Sequence, residues 1–195
     1  LGAGKEPDDG YRSTKVWMML PPRPVPADGV FYSEHVYVVL TSCWDQSVFG
    51  WAHKLRVWEG NDCDQLLYGM VVKEYLPLIV QQLRRDREFR SVAQEHVVQQ
   101  REPDDFLDLF RGGITVHKGT PLYDEPRGAR LYWVSVRGLC VRTVEVAPRS
   151  DLIDPRDCYV LTTGRTVFVW LGAACTKLGR RAAIRGGKRF ARDLR

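Results

Sequence analysis

No apolar run in these 195 residues approaches the roughly 18 that a membrane-spanning helix needs. Residues 1–9 are polar and Gly-rich, without the apolar centre of a signal peptide. Cysteines are few and odd in number, Cys43, Cys63, Cys140, Cys158 and Cys175. None forms a C-x-x-C pair, which argues against a zinc cluster and points to a reducing, intracellular compartment. Also missing are G-x-S-x-G, H-E-x-x-H, a phosphate-binding loop and a dinucleotide fingerprint. The four histidines, His35, His53, His96 and His117, are scattered. Asp104 and Asp105 are adjacent carboxylates of the kind that serve a helix start. The chain therefore reads as a non-enzyme.

Positive charge is also scarce outside one segment. The net charge is +5, yet residues 176–195 hold eight basic residues and one acid. That segment carries +7, so the remainder sums to −2. A broad basic face for nucleic acid is lacking, and no nucleic-acid partner is expected. What is present is an ordinary globular balance of 44% apolar, 11% aromatic and 27% charged residues, enough to bury a core. Opening on Leu1 and closing on Arg195, the chain reads as a piece of something longer.

The pattern along the chain is mixed α/β. Strand-like runs occur at 15–20, 30–32, 36–40 and 53–58, interrupted by the proline-rich 21–26. Asp62 or Asp64 can cap a helix in which Leu67, Met70, Val71, Tyr75 and Leu78 recur at helical spacing, and Pro77 should kink or divide it. A strand over 91–100, a short helix over 106–110 and a strand over 114–117 follow. After a loop, strands at 130–134, 141–146, 158–162 and 165–170 lead into a basic helix. The order repeats: Tyr37 and Trp58 of the first half correspond to Tyr159 and Trp170 of the second, each Trp standing two residues before a glycine, Gly60 and Gly172. A period this long implies two copies of a whole domain. The first copy carries about ten extra loop residues around 43–50, which hold Trp44 and Trp51, a possible contact surface. Trp58 and Trp170 read as core.

Residues 97–114, VVQQREPDDFLDLFRGGI, resemble the V-x-Q-G-x-E-P-x-x-F-L-x-x-F-x-G signature that ends a repeat in the gelsolin/villin family of actin-binding proteins. The stretches at 130–132, 144–146, 157–161 and 169–172 resemble the opening of the next repeat, and 15–17 with 29–32 that of the first. The resemblance covers about residues 14–195. It implies an α/β (α+β) fold of tandem gelsolin-like domains, each a central mixed five-stranded sheet between a long and a short helix. The expected division is a flexible lead-in at 1–13, a repeat at 14–118, a linker at 119–129, and a C-terminally incomplete repeat at 130–195.

In that family each repeat can hold calcium through a Gly carbonyl, an Asp and a helix Glu. Here the first-copy positions are Glu34, His35 and Leu67, and the second-copy positions are Arg156, Asp157 and Gly179. A His and a Leu cannot replace two carboxylates. Asp157 is the one remaining candidate ligand, no cofactor is expected, and these degenerate positions favour the supervillin or flightless branches. The resemblance implies actin as partner, cytoplasmic and cytoskeletal location, and filament binding or organisation with loss of calcium regulation. The alternatives are a protein–protein scaffold as in vesicle coats, or a calcium-dependent severing and capping factor. Arg180, Arg181, Arg185, Lys188, Arg189 and Arg192 are candidates for contacting actin or a phosphoinositide-containing membrane surface. The spacing puts Arg181, Arg185, Lys188 and Arg192 on one stripe, opposite an apolar stripe of Leu178, Ala182, Phe190 and Leu194 that should face the sheet. The Gly186-Gly187 pair costs such a helix roughly 2 kcal/mol of propensity.

Overall fold

The structure is a computed structural model that describes residues 12–47, 49–86, 88–110, 113–121, 128–138 and 140–193. The 1–13 lead-in lies almost wholly outside them. The strands are β1 (Arg12–Met18), β2 (Arg23–Val25), β3 (Val30–Tyr32), β4 (Val36–Asp45), β5 (Gly50–Glu59), β6 (Phe89–Val98), β7 (Ile114–His117), β8 (Arg130–Arg137), β9 (Cys140–Val146), β10 (Cys158–Thr162) and β11 (Val167–Leu171). The helices are α1 (Gln65–Met70), α2 (Leu76–Leu83), α3 (Asp104–Leu107) and α4 (Lys177–Asp193), with a π-turn over Val71–Tyr75 between α1 and α2.

The chain forms two compact units. In the first, a mixed sheet runs β2-β1-β4-β5-β6, antiparallel except for the parallel β5–β6 pair. Alternate residues of β4 serve different faces. Val36, Val38 and Leu40 pack with Leu55 and Val57 against Val71, Leu76 and Val80 of the helical segment. Tyr37 faces the other way, its ring meeting Trp58 edge-on at 5.6 Å. Burial on both faces is why residues 36–40 read as an unbroken apolar run.

The helical segment departs from the sequence expectation. Asp64 caps α1, accepting from the Leu66 amide at 2.8 Å. The segment is divided as expected, and the division into α1 and α2 falls just before Pro77. Pro77 sits in the first turn of α2, and the preceding π-turn lets the Leu76 amide bond back to the Val71 carbonyl. Proline has no amide to donate and its ring crowds the carbonyl four residues earlier, so widening that turn relieves both problems. The widened turn rotates the buried face onto Val71, Leu76 and Val80, leaving Met70 and Leu78 exposed. Residues 43–50 are likewise not an extra loop. Residues 43–45 continue β4 and Gly50 opens β5, so the two strands form a long hairpin in which Trp44 and Trp51 are cross-strand partners with rings edge-on at 5.4 Å. The strand expected over 91–100 begins two residues earlier, at Phe89.

The second unit holds a six-stranded sheet in the order β11-β10-β8-β9-β7-β3. Its β9-β8-β10-β11 portion repeats the β2-β1-β4-β5 order of the first unit. Tyr159 pairs across the ladder with Trp170 as Tyr37 does with Trp58. The division differs from a repeat ending at 118. Residues 28–32 and 104–117 belong to the second unit, because β3 pairs in parallel with β7, and β7 in parallel with β9. The second sheet therefore has six strands rather than five, and the short helix α3 lies in this unit. Register places Phe31, Val116, Val144 and Trp133 on one face and Tyr132 and Val134 on the other. Phe106 and Phe110 close on Phe31 (ring centroids 6.1 and 5.4 Å) on the first face. On the second face, Phe190 of α4 packs on Tyr132 at 4.5 Å.

The Trp-x-Gly element has a mechanical basis in both units. The Gly60 amide donates to the His35 carbonyl at 3.1 Å, and the Gly172 amide to the Asp157 carbonyl at 3.0 Å. A Cβ on Gly60 would lie 2.1 Å from the Ser33 oxygen, and one on Gly172 2.2 Å from the Pro155 oxygen. Only glycine permits this backbone-on-backbone approach. Trp170 corrects one expectation. Trp58 is fully buried and donates its indole N–H to the buried Glu102 carboxylate at 3.2 Å, whereas Trp170 is 39% exposed. β5 has β6 beyond it, while β11 is an edge strand among the described residues.

Candidate interaction surfaces

Helix α4 is seated by small residues. Thr176 caps it, its hydroxyl accepting from the Gly179 amide at 3.0 Å. The sheet-facing side is Gly179, Ala182, Ala183, Gly186, Gly187 and Phe190, all buried or half-buried. A Cβ on Gly187 would come within 2.4 Å of Val169 Cγ2, so this glycine sets how closely helix and sheet approach. The sequence missed this face, although the small residues recur every three or four positions. Leu178, expected to face the sheet, is 49% exposed. It stands on the flank of the helix because Gly179 and Ala182 form the contact. Leu194, expected on the same stripe, lies outside the described residues.

The six candidate cations divide into two sets. Arg181, Arg185, Lys188 and Arg192 are exposed together with Lys177, and none takes part in an ion pair among the described residues. Arg180 and Arg189 serve the fold. The first donates to the Gly172 carbonyl at 3.2 Å and the second to the Asp28 carbonyl at 3.4 Å. The outward stripe thus carries charge without local neutralisation, flanked by exposed Leu178 and Ile184.

The positions equivalent to calcium ligands do not fit the ion. In the first unit His35 is buried, and desolvation holds its pKa below the usual histidine value despite the Met19 backbone and Glu34 acting the other way. Leu67 packs against the core. Asp62 accepts the Ser33 hydroxyl at 2.7 Å and Asp64 is occupied as the α1 cap. In the second unit Asp157 lies in the turn before β10. Its neighbour Asp154 is gripped by Arg156, with contacts of 3.0 and 2.6 Å, which hold the Asp154 carboxyl down to about 2. Where a helix carboxylate would stand, a Cβ on Gly179 would meet Thr176 Oγ1 at 3.2 Å and Cys158 Sγ at 3.7 Å. Among the described residues no three His, Cys, Asp or Glu side chains gather as a metal site.

Comparison with known proteins joins these observations. The gelsolin repeat family matches residues 141–184, the segment holding the Tyr159–Trp170 ladder, Gly172 and the start of α4. Residues 141–184 are thus similar to a gelsolin repeat, and most of the chain is similar to gelsolins. It is 27% identical over 194 residues to a cytoplasmic gelsolin of Halocynthia roretzi, covering 93% of this chain and 25% of that protein. The match to actin depolymerising venom protein gelsolin 1 of Platymeris rhadamanthus is 27% over 184 residues, covering 88% and 46%. That to gelsolin of Gallus gallus is 27% over 176 residues, covering 85% and 22%. The chain thus spans less than half the length of these relatives. A solved complex of the Thorarchaeota protein 2DGel3 with rabbit actin is similar at TM-score 0.36 and 18% identity, covering 93% of this chain and 85% of that one.

Proposed function

We propose that this chain is a gelsolin-like repeat protein and an actin-binding module of the cytoskeleton, working in the cytoplasm by contact rather than by chemistry. The observation that carries the reading is the outward face of α4. Arg181, Arg185, Lys188 and Arg192 stand exposed and without acidic partners among the described residues, beside exposed apolar Leu178 and Ile184. Such a face suits an acidic protein surface, where clustered charge steers association and the apolar side chains add contact area. The gelsolin repeat match and the name of the depolymerising venom relative support actin as that surface. A phosphoinositide headgroup presents the same sign of charge and competes for the stripe. Calcium control is lost, because His35 and Leu67 in one unit and Gly179 in the other remove the required carboxylates. Cosedimentation with actin filaments, with calcium and with chelator, tests this. Equal binding in both conditions is expected, and binding that requires calcium refutes the loss of regulation.

A further inference from the structure

The tip of the β4–β5 hairpin in the first unit is clamped on both legs. Where the chain leaves β4, the Asp45 carboxylate accepts the Ser47 amide at 2.9 Å and the Ser47 hydroxyl at 2.6 Å. Where it enters β5, the turn before β6 takes hold. The Trp51 amide donates to the Glu88 carbonyl at 2.8 Å, the Trp51 indole N–H to the Glu88 carboxylate at 3.2 Å, and Arg90 to the Phe49 carbonyl at 3.0 Å. The packing behind the tip is tight, since a Cβ on Gly50 would lie 2.6 Å from Arg90 Cγ and 2.7 Å from the Glu88 carbonyl oxygen. Between these clamps Phe49 adopts a φ of 47°, a left-handed conformation that bulky side chains rarely take. Phe49 is 75% exposed. A strained backbone that holds an aromatic residue out in water adds nothing to the core and points to a contact made elsewhere.

We propose that Phe49 anchors the first unit in an apolar pocket with an acidic rim on actin, a contact independent of the α4 stripe. This rests on the reading of the chain as an actin-binding module. The clamped backbone presents the ring already oriented, so docking orders little that is not ordered before. A rigid aromatic side chain entering a pocket is the kind of group that dominates protein interfaces. Trp44 and Trp51, half-buried and packed edge-on at 5.4 Å, widen the apolar base behind it. The charge at this end of the sheet selects the partner. Arg12, opposite Cys43 across the ladder, and Arg84 and Arg85, in the chain leading to Glu88, are exposed. None of the three forms an ion pair among the described residues. They favour an acidic rim, the same sign of partner that α4 selects. A bilayer fits the tip less well. Asp45, Gln46 and Ser47 share it with Phe49, and drawing the ring into an acyl layer would take the Asp45 carboxylate out of water.

The test is cosedimentation of the full chain with actin filaments, natural against Phe49→Asn and Phe49→Leu, at low and high salt. Asparagine tolerates the left-handed backbone, so Phe49→Asn should melt no lower than the natural chain. It should bind filaments about tenfold more weakly, and by the same factor at both salt concentrations, because burial of a ring is not screened as charge is. Phe49→Leu, which stays apolar, should recover most of the binding. Phe49→Asn binding as the natural chain does overturns the proposal and leaves the actin reading standing, whereas a natural chain that fails to sediment with filaments overturns both. A loss that disappears at high salt, or Phe49→Leu binding no better than Phe49→Asn, shows that no apolar pocket receives the ring. Flotation on phosphatidylcholine vesicles containing phosphatidylserine that depends on Phe49, with filament binding unchanged, would assign the tip to a bilayer and overturn the proposal as well.

Discussion

Replacing Gly187 by alanine should destabilise the protein, although the same change at Gly69 should stabilise it. Both glycines lie in helices, and alanine is favoured over glycine there by about 1 kcal/mol. At Gly69 nothing lies within 4 Å of the added Cβ, so the propensity gain is kept. At Gly187 the methyl would sit 2.4 Å from Val169 Cγ2. Valine is β-branched and stiff at χ1, so it cannot swing aside, and α4 must lift from β10 and β11. Overpacking of this kind costs about 2 kcal/mol, leaving Gly187→Ala roughly 1 kcal/mol destabilised. Thermal melts should show Gly69→Ala shifted up and Gly187→Ala down by about 3 °C each. Val169→Ala in combination should recover the Gly187→Ala loss, giving a non-additive cycle. If Gly187→Ala stabilises as much as Gly69→Ala does, α4 is not seated on Val169 and the account of its outward face fails with it.

Stability should decline as pH falls below about 6.5. Desolvation lowers the pKa of both His35 and His53 in the folded state, so below the unfolded value the unfolded chain binds more protons. Stability is therefore full above that pH and is lost as pH drops towards the folded values, and a flat profile between pH 7 and 5 in urea melts would contradict it. Calorimetry at micromolar calcium should show no saturable site. Should a site be found, Asp157→Asn must abolish it, and persistence of binding in that variant would show that the ligands lie elsewhere.

Much of the fold was legible because the Trp-x-Gly element is a backbone requirement. Gly60 and Gly172 must touch the backbone of Ser33 and Pro155, so the motif marks the same turn in each half. The membership of β3 and β7 was not legible. The pairing of β3 with β7, and of β7 with β9, is long-range, and nothing local in residues 30–32 or 114–117 distinguishes one sheet from the other. The π-turn escaped for a related reason. Helical spacing assumes 3.6 residues per turn, and a single widened turn before Pro77 moves Met70 and Leu78 out of the core. On α4 the charges were visible but their division was not. Arg180 and Arg189 look like their neighbours in sequence, and only the carbonyls of Gly172 and Asp28 set them apart. Trp170 read as core because it stands at the strand end equivalent to Trp58. Its exposure depends on what lies beyond β11, which no motif in 165–172 encodes.

The central claim is that the outward stripe of α4 is the actin-contacting surface. Cosedimentation with actin filaments decides it, comparing the natural chain with a variant carrying Arg181→Glu, Arg185→Glu and Lys188→Glu, across a salt series from 25 to 200 mM at constant chelator. These side chains touch nothing in the core, so the variant should fold unchanged. The natural chain should bind filaments with an affinity that falls steeply with salt, since exposed charges are screened over roughly 10 Å at 0.1 M. The variant should bind far more weakly at low salt and show almost no salt dependence. Equal binding by the two proteins throughout the series would contradict the claim and move the contact to the exposed Met70 and Leu78 of the first unit.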